Sequence, residues 1–283
     1  MLNIRGRKSI IKIINKIKLF KSESGSISYE IRRKFLRGKL PRVLLNRTNT
    51  KYIGHTARRI NRIMLGKNYR YLEIGVADGT TLQAISSQKK HGVDPFPLFN
   101  TTRLPNSITF DSMTSDTYFA STTNDEKFDF IFLDGLHESN QLFKDFINSL
   151  KRIKVSGWIL IDDIMPNDSI SAISNIDESY KIRGVKSNEG YPWHGDCYKL
   201  LPTILNNFPQ IESFLIFYPD NPQLLLRVKE EISLSEISIL EGKNFNTTED
   251  YFDVFAAKKL NSYPLYIEEI LINDLVFRGI INK

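Results

Sequence analysis

RYLEIGVADGTT, residues 70–81, is the stretch on which the fold turns. A short apolar run through Tyr71, Leu72 and Ile74 breaks at Gly75, a second glycine follows at Gly79, and Thr80-Thr81 open a helical pattern. This reads as a strand passing through a tight turn into a helix. Glycines at such a turn let the backbone approach a ligand, and the amides at the helix start favour a polar or negative group. About 20 residues on, a second strand-like run ends in Gly92-Val93-Asp94-Pro95, and an acid at the end of strand two is where a doubly wound fold holds ribose hydroxyls. The G-x-G start and third glycine of a dinucleotide fingerprint are missing, which counts against a nicotinamide-dependent dehydrogenase. Taken singly, the turn also suits an ordinary βα junction, and Asp94 a turn or helix cap.

Outward from this stretch, the runs SITFD, FDFIFLD and GWILID alternate with helical patterns. Runs this apolar suit strands covered on both faces, and the helices between them suit right-handed crossovers in a parallel sheet. Later, SFLIFYP and QLLLRVK flank Asp220-Asn221, a short turn that makes the pair antiparallel. The expected fold is α/β, a doubly wound Rossmann-like sheet of seven strands: five parallel strands plus an antiparallel C-terminal hairpin. Its expected extent is residues 67–232, with a basic helical extension over 1–66 and a mainly helical one over 233–283.

In the N-terminal extension, Ile10, Ile11, Ile14, Ile17 and Phe20 recur at helical spacing, with lysines at 8, 12, 16 and 18 mostly on the other side. SESGS at 22–26 reads as a linker, and SYEIRRKFLRG and HTARRINRIMLG as helices ending in glycine. The formal net charge of +7 is unevenly placed. Residues 1–70 hold 20 Lys/Arg against 2 Asp/Glu, or +18, and the rest hold 19 against 30, or −11. The basicity therefore belongs to the arm. Residues 1–22 are expected to contact another subunit or an anionic membrane face, with packing on a second copy favoured because the apolar stripe needs burial. A single cysteine, Cys197, excludes an internal disulfide and fits a reducing compartment. With no secretion signal and no long apolar run, the expected location is the cytoplasm or the inner face of its membrane.

The pattern E-I-G-V-x-x-G-x-T followed by G-V-D-P resembles motif I and the acidic loop of class I S-adenosylmethionine (SAM) dependent methyltransferases, over roughly residues 65–230. The resemblance implies that Gly75 and Gly79 pack near the methionine part of SAM and that Asp94 holds the ribose hydroxyls. It places Glu73 beneath the cofactor and Ser112 and Met113, after the third strand, against adenine.

Two further strands end in Leu133-Asp134-Gly135-Leu136-His137 and Ile161-Asp162-Asp163-Ile164-Met165-Pro166. In an open parallel sheet both ends face the crevice where ligands bind. Three carboxylates and an imidazole would converge there and repel unless compensated, and oxygen donors suit Mg²⁺, Mn²⁺ or Ca²⁺. Such a cation lowers the pKa of a bound hydroxyl, and a neutral His beside it can take the proton. Each residue also has a plainer reading: Asp134 as a helix cap, His137 as a solvated helix residue, Asp162 and Asp163 as turn formers. L-D-G-L-H, a helix, and then D-D-x-x-P is similar to a metal-dependent O-methyltransferase group that modifies sugars, including those of macrolide antibiotics. That resemblance implies Asp134, Asp162 and Asp163 as ligands of a divalent metal, Mg²⁺ first among them, and His137 as general base. Some members carry Glu-Asp where this chain has Asp162-Asp163, so ligand geometry or metal preference differs here.

Tyr191–Lys199, reading YPWHGDCYK, resembles a further stretch of that group. Trp193, His194, Asp196 and Tyr198 could line an acceptor pocket, since sugars stack on aromatic faces. Asp196 reads equally well as the cap of a helix. The expected activity is methyl transfer from SAM to a hydroxyl of a small molecule or glycan, as in a surface glycan or secondary metabolite. A nucleic-acid methyltransferase ranks lower, because the body is acidic and phosphate contacts are needed near the site. A non-catalytic scaffold recruited by its basic arm is the alternative of another class.

Overall fold

A computed structural model describes residues 55–121, 126–185, 193–218, 222–241, 250–255 and 262–282. The amphipathic stretch 8–20, the linker 22–26, the helix expected from residue 28, the turn Asp220-Asn221 and Tyr191-Pro192 lie outside the described residues. The chain order is α1 (His55–Ile63), β1 (Arg70–Ile74), α2 (Thr80–Ala84), β2 (Lys89–Val93), β3 (Ile108–Asp111), α3 (Ser115–Ser121), β4 (Phe128–Leu133), α4 (Ser139–Leu150) and β5 (Ile153–Ile161). It continues through α5 (Ile176–Arg183), α6 (Leu200–Asn207), β6 (Ile211–Tyr218), β7 (Gln223–Val228), α7 (Leu234–Glu241), α8 (Tyr251–Val254), β8 (Leu265–Ile267) and α9 (Glu268–Phe277).

The strands form one sheet in the order β3-β2-β1-β4-β5-β7-β6-β8. β1 to β5 pair in parallel, β7 runs antiparallel to both β5 and β6, and β8 adds to the edge parallel to β6. The fold class is as expected, with one correction: the sheet has eight strands and not seven. β8 is three residues long and runs directly into α9, so no alternating pattern marks it in the sequence.

Both faces of the sheet are covered, and the strand residues sort accordingly. Ile131, Leu133, Ile159, Ile161, Leu224 and Leu226 enter the core that includes α4 and α6, while Phe132, Trp158, Leu160 and Leu225 enter the core shared with α1 and α9. That period of two is the ordinary consequence of strand geometry. Its phase shifts once, at an irregularity between Phe128 and Phe130, which puts Phe128 and Ile131 on the same side.

α1 presents Ala57, Ile60 and Ile63 to the second core, and Gly66 follows it in the left-handed region at φ 70°, the helix stop expected from the sequence. Arg59 on the buried face of α1 donates from Nε (3.0 Å) and Nη2 (2.9 Å) to Oε2 of Glu268 at the start of α9. Both are buried, so removing one partner would leave the other charge without its main counter-ion, at a cost of about 3–5 kcal/mol. Among the described residues, no helix is long and apolar enough to cross a membrane.

Candidate active site

The turn after β1 is held from two sides. Gly75 has φ 82°, and a Cβ there would stand 2.1 Å from the carbonyl oxygen of Asp134, so only glycine lets this turn pass beneath the end of β4. Asp94, at the end of β2, accepts from the amides of Val76 (2.9 Å) and Ala77 (2.8 Å) through Oδ2 and of Phe96 (2.7 Å) through Oδ1. A carboxylate has about four acceptor sites, so three amides leave room for one more donor such as a ribose hydroxyl. Gly79, at φ 77°, precedes α2. These features fit a nucleoside-bearing cofactor laid over the strand ends.

Glu73 lies beneath this turn, buried, with the Tyr71 hydroxyl donating to Oε2 at 2.6 Å. Burial pushes its carboxyl up to about 8, against the lowering effects of the Tyr71 hydrogen bond and the Lys90 charge. Ser112 and Met113 follow β3 directly. Ser112 is exposed, and Met113 is half-buried with its amide donating to Asp111 (3.0 Å).

Three of the sequence-expected residues converge at the ends of β4 and β5. Donor atoms of Asp134, His137 and Asp163 lie within 4.8 Å of one another. His137 Nδ1 stands 2.7 Å from Asp163 Oδ2, and Asp163 Oδ1 lies 3.7 Å from Nε2 of the buried His194. Asp163 reaches this position from a left-handed backbone, φ 51°, which a short polar residue tolerates better than most. Burial and then the charges of Asp162 and Asp163 raise the Asp134 carboxyl well above its usual range. Burial lowers the His137 pKa, but the hydrogen bond and charge of Asp163 outweigh it, and the net shift is upward. Two carboxylates that repel each other, with an imidazole beside them, fit a hard divalent cation.

Asp162, the third expected metal ligand, is not among the three donors within 4.8 Å of one another. It continues the strand face of Trp158 and Leu160, toward α1 and α9, and its Oδ1 accepts from the amide of Asp163 at 2.8 Å. It is a neighbour of the three converging donors, and its charge still acts on Asp134.

The segment after residue 192 closes one wall. The Trp193 ring meets His137 edge-on, centroids 5.2 Å apart, and its Nε1 donates to the Ile173 carbonyl at 2.7 Å. Asp196 accepts from the Ser139 amide (2.7 Å) and hydroxyl (3.1 Å) and from Lys199 Nζ (2.9 Å), so it caps α4 from 57 positions away. That leaves Asp134 without the capping role. Tyr198 is buried against Tyr251 and Phe255. Trp193 and His194 thus sit beside the cluster, whereas Asp196 and Tyr198 are spent on capping and packing.

Sequence reasoning gave no role to Gly195, which stands in the YPWHGDCYK stretch, and missed Gln223. A Cβ at Gly195 would come within 1.8 Å of the His137 carbonyl oxygen, and Asp196 donates its amide to that same oxygen at 3.2 Å. Gly195 was visible as a glycine between polar residues, but its neighbour 58 positions upstream was not. Gln223 had no local signal at all.

Residues 72–164 match the model of a methyltransferase domain family. No curated protein sequence matches the chain. Among solved structures, the chain is similar to an rRNA methylase from Streptococcus thermophilus (10% identity, 64% of this chain, 99% of that one, TM-score 0.43). It is similar also to the O-methyltransferase TomG from Streptomyces achromogenes, involved in tomaymycin synthesis and in complex with SAM (12%, 62% and 78%, TM-score 0.43). A third is the methyltransferase MycE from the mycinamycin biosynthetic pathway with Mg, SAH and mycinamycin VI (14%, 66% and 54%, TM-score 0.43). The Gly75–Gly79 turn, the Asp94 loop and the ends of β4 and β5 lie within the matched segment, and β6 to β8 lie beyond it.

Proposed function

We propose that this protein transfers the methyl group of SAM to a hydroxyl, on a sugar of a surface glycan or a secondary metabolite, with a divalent cation at the site and His137 as base. The observation that carries this reading is the convergence of Asp134, His137 and Asp163 at two strand ends beside the Gly75–Gly79 turn. Asp134 and Asp163 would hold the cation, and Asp162, which accepts the Asp163 amide and whose charge acts on Asp134, would orient them. Such a cation, when bound, lowers the pKa of an acceptor hydroxyl at neutral pH. SAM supplies a methyl group already activated as a sulfonium, so the protein mainly contributes position and electrostatics. Asp163 accepts from Nδ1–H of His137 and so leaves the lone pair on Nε2, the nitrogen suited to take a proton. Trp193 packs against that ring and offers the aromatic surface on which a sugar stacks.

One observation favours a second reading of His137. Its nitrogen lies within the same 4.8 Å set as the two carboxylates, as a third ligand would. His194 then stands nearest to serve as base.

Thermal-shift titration of the full chain with SAM, in EDTA and then in Mg²⁺ or Mn²⁺, tests the proposal. Stabilisation by SAM with a further metal-dependent increment, absent in Asp163→Ala, supports it and justifies a screen of sugar acceptors. SAM binding without any metal response would leave a metal-free methyltransferase.

A further inference from the structure

The buried contacts between α1, α9 and β7 end at the candidate site. Ile161 pairs with Leu224 across β5 and β7, so Gln223 faces the residue that follows β5, which is Asp162. Gln223 is fully buried, and its carboxamide hydrogen-bonds the Asp162 side chain. Its Nε2 also donates to Thr56 Oγ1 at 2.9 Å, and its Oε1 accepts from Nη1 of Arg59. An arginine can only donate, so it dictates which end of the carboxamide faces it and turns the NH₂ group toward Thr56 and Asp162. Arg59 is itself held by Glu268. At the other end, Asp162 accepts the amide of Asp163, whose backbone sits in the left-handed region from which its carboxylate reaches His137.

We propose that Gln223 is a positioning residue: oriented by Arg59, it holds Asp162, and through it the backbone of Asp163, in the arrangement in which Asp134 and Asp163 share a cation. The inference rests on the metal-assisted reading above. It explains why a polar side chain occupies a fully buried strand position followed by three leucines. A carboxamide satisfied on all sides fixes one geometry, whereas an apolar residue there would leave Arg59 and Asp162 to find other partners.

The test is Mn²⁺ binding to the full-length protein, followed by electron paramagnetic resonance, with S-adenosylhomocysteine affinity measured alongside. Gln223→Met keeps the volume and removes the hydrogen bonds. It is expected to weaken Mn²⁺ binding tenfold or more, to change the spectrum of bound Mn²⁺, and to leave S-adenosylhomocysteine affinity within about twofold. A residue serving only the fold would weaken both ligands together or neither. Unchanged Mn²⁺ affinity and spectrum in a folded Gln223→Met protein overturns the proposal. If that variant does not fold, Arg59→Lys is read the same way, since it keeps a charge opposite Glu268 but gives up the fork that orients the carboxamide. No Mn²⁺ binding by the unmodified protein overturns the metal reading and this inference with it. Loss confined to the variants separates the two.

Discussion

His137 Nδ1 lies 2.7 Å from Oδ2 of Asp163, so one carboxylate both orients the imidazole and belongs to the donor set suited to a cation. The two roles predict different losses. His137→Ala is expected to lower turnover by about 10²–10⁴, the usual contribution of general base catalysis, with SAM affinity unchanged. Mn²⁺ affinity measured on the same variant assigns the role: retained if His137 is the base, weakened tenfold or more if it is a ligand. A loss of SAM binding would refute both.

Asp163→Asn should trade function for stability. The charge of Asp163 helps to push the Asp134 carboxyl upward, so neutralising it removes a repulsion in the metal-free protein. Asn tolerates the left-handed backbone at this position, so no strain is added. The variant is expected to melt about 2–4 °C higher in EDTA, as roughly 1 kcal/mol would give in a protein of this size, and to lose its stabilisation by Mg²⁺ or Mn²⁺. A lower melting point in EDTA would mean that the His137–Asp163 pairing outweighs the repulsion.

The parallel core of the fold was legible because its signals are local. Apolar runs of β1, β4 and β5, ended by Gly75, Asp134 and Asp162, need no partner to be recognised. The same holds for Asp134, His137 and Asp163, which lie just past those ends. What could not be read depends on contacts far apart in sequence. β8 is too short to show a period, and Asp196 caps a helix 57 positions upstream. The left-handed backbone of Asp163 and the hydrogen bond of its amide to Asp162 likewise leave no local mark in the sequence.

Glycine substitutions should separate close approach from backbone conformation. Gly184 and Gly195 have φ near 70° and 61°, but a Cβ at Gly184 meets nothing within 4 Å, whereas at Gly195 it meets the His137 carbonyl oxygen at 1.8 Å. Gly184→Ala carries only the left-handed penalty, about 1–2 kcal/mol. Gly195→Ala must also push Trp193 and Asp196 away from His137, and it is expected to destabilise by more than about 3 kcal/mol and abolish turnover. Chemical denaturation of the two variants side by side checks this, and equal losses would show that the 195–137 contact gives way easily.

The pH dependence of stability should fall in a defined direction because of Glu73. Its carboxyl is held at about 8 in the folded protein against 4.5 as the ordinary value, so between these limits the folded state keeps a proton that the unfolded state has released. Stability due to this group is fully present below 4.5 and is lost as pH rises toward 8, at up to about 1.4 kcal/mol per pH unit. Asp134 and Asp162 are shifted the same way, so the unmodified protein alone does not isolate the effect. Glu73→Gln keeps the shape and the Tyr71 contact but cannot ionise. The gap in unfolding free energy between the two proteins, measured by urea denaturation in EDTA from pH 5 to 8, should therefore widen in favour of the variant as pH rises. A gap that stays constant over this range would mean that Glu73 is already ionised in the folded protein at pH 5, held so by the Tyr71 hydroxyl and the Lys90 charge.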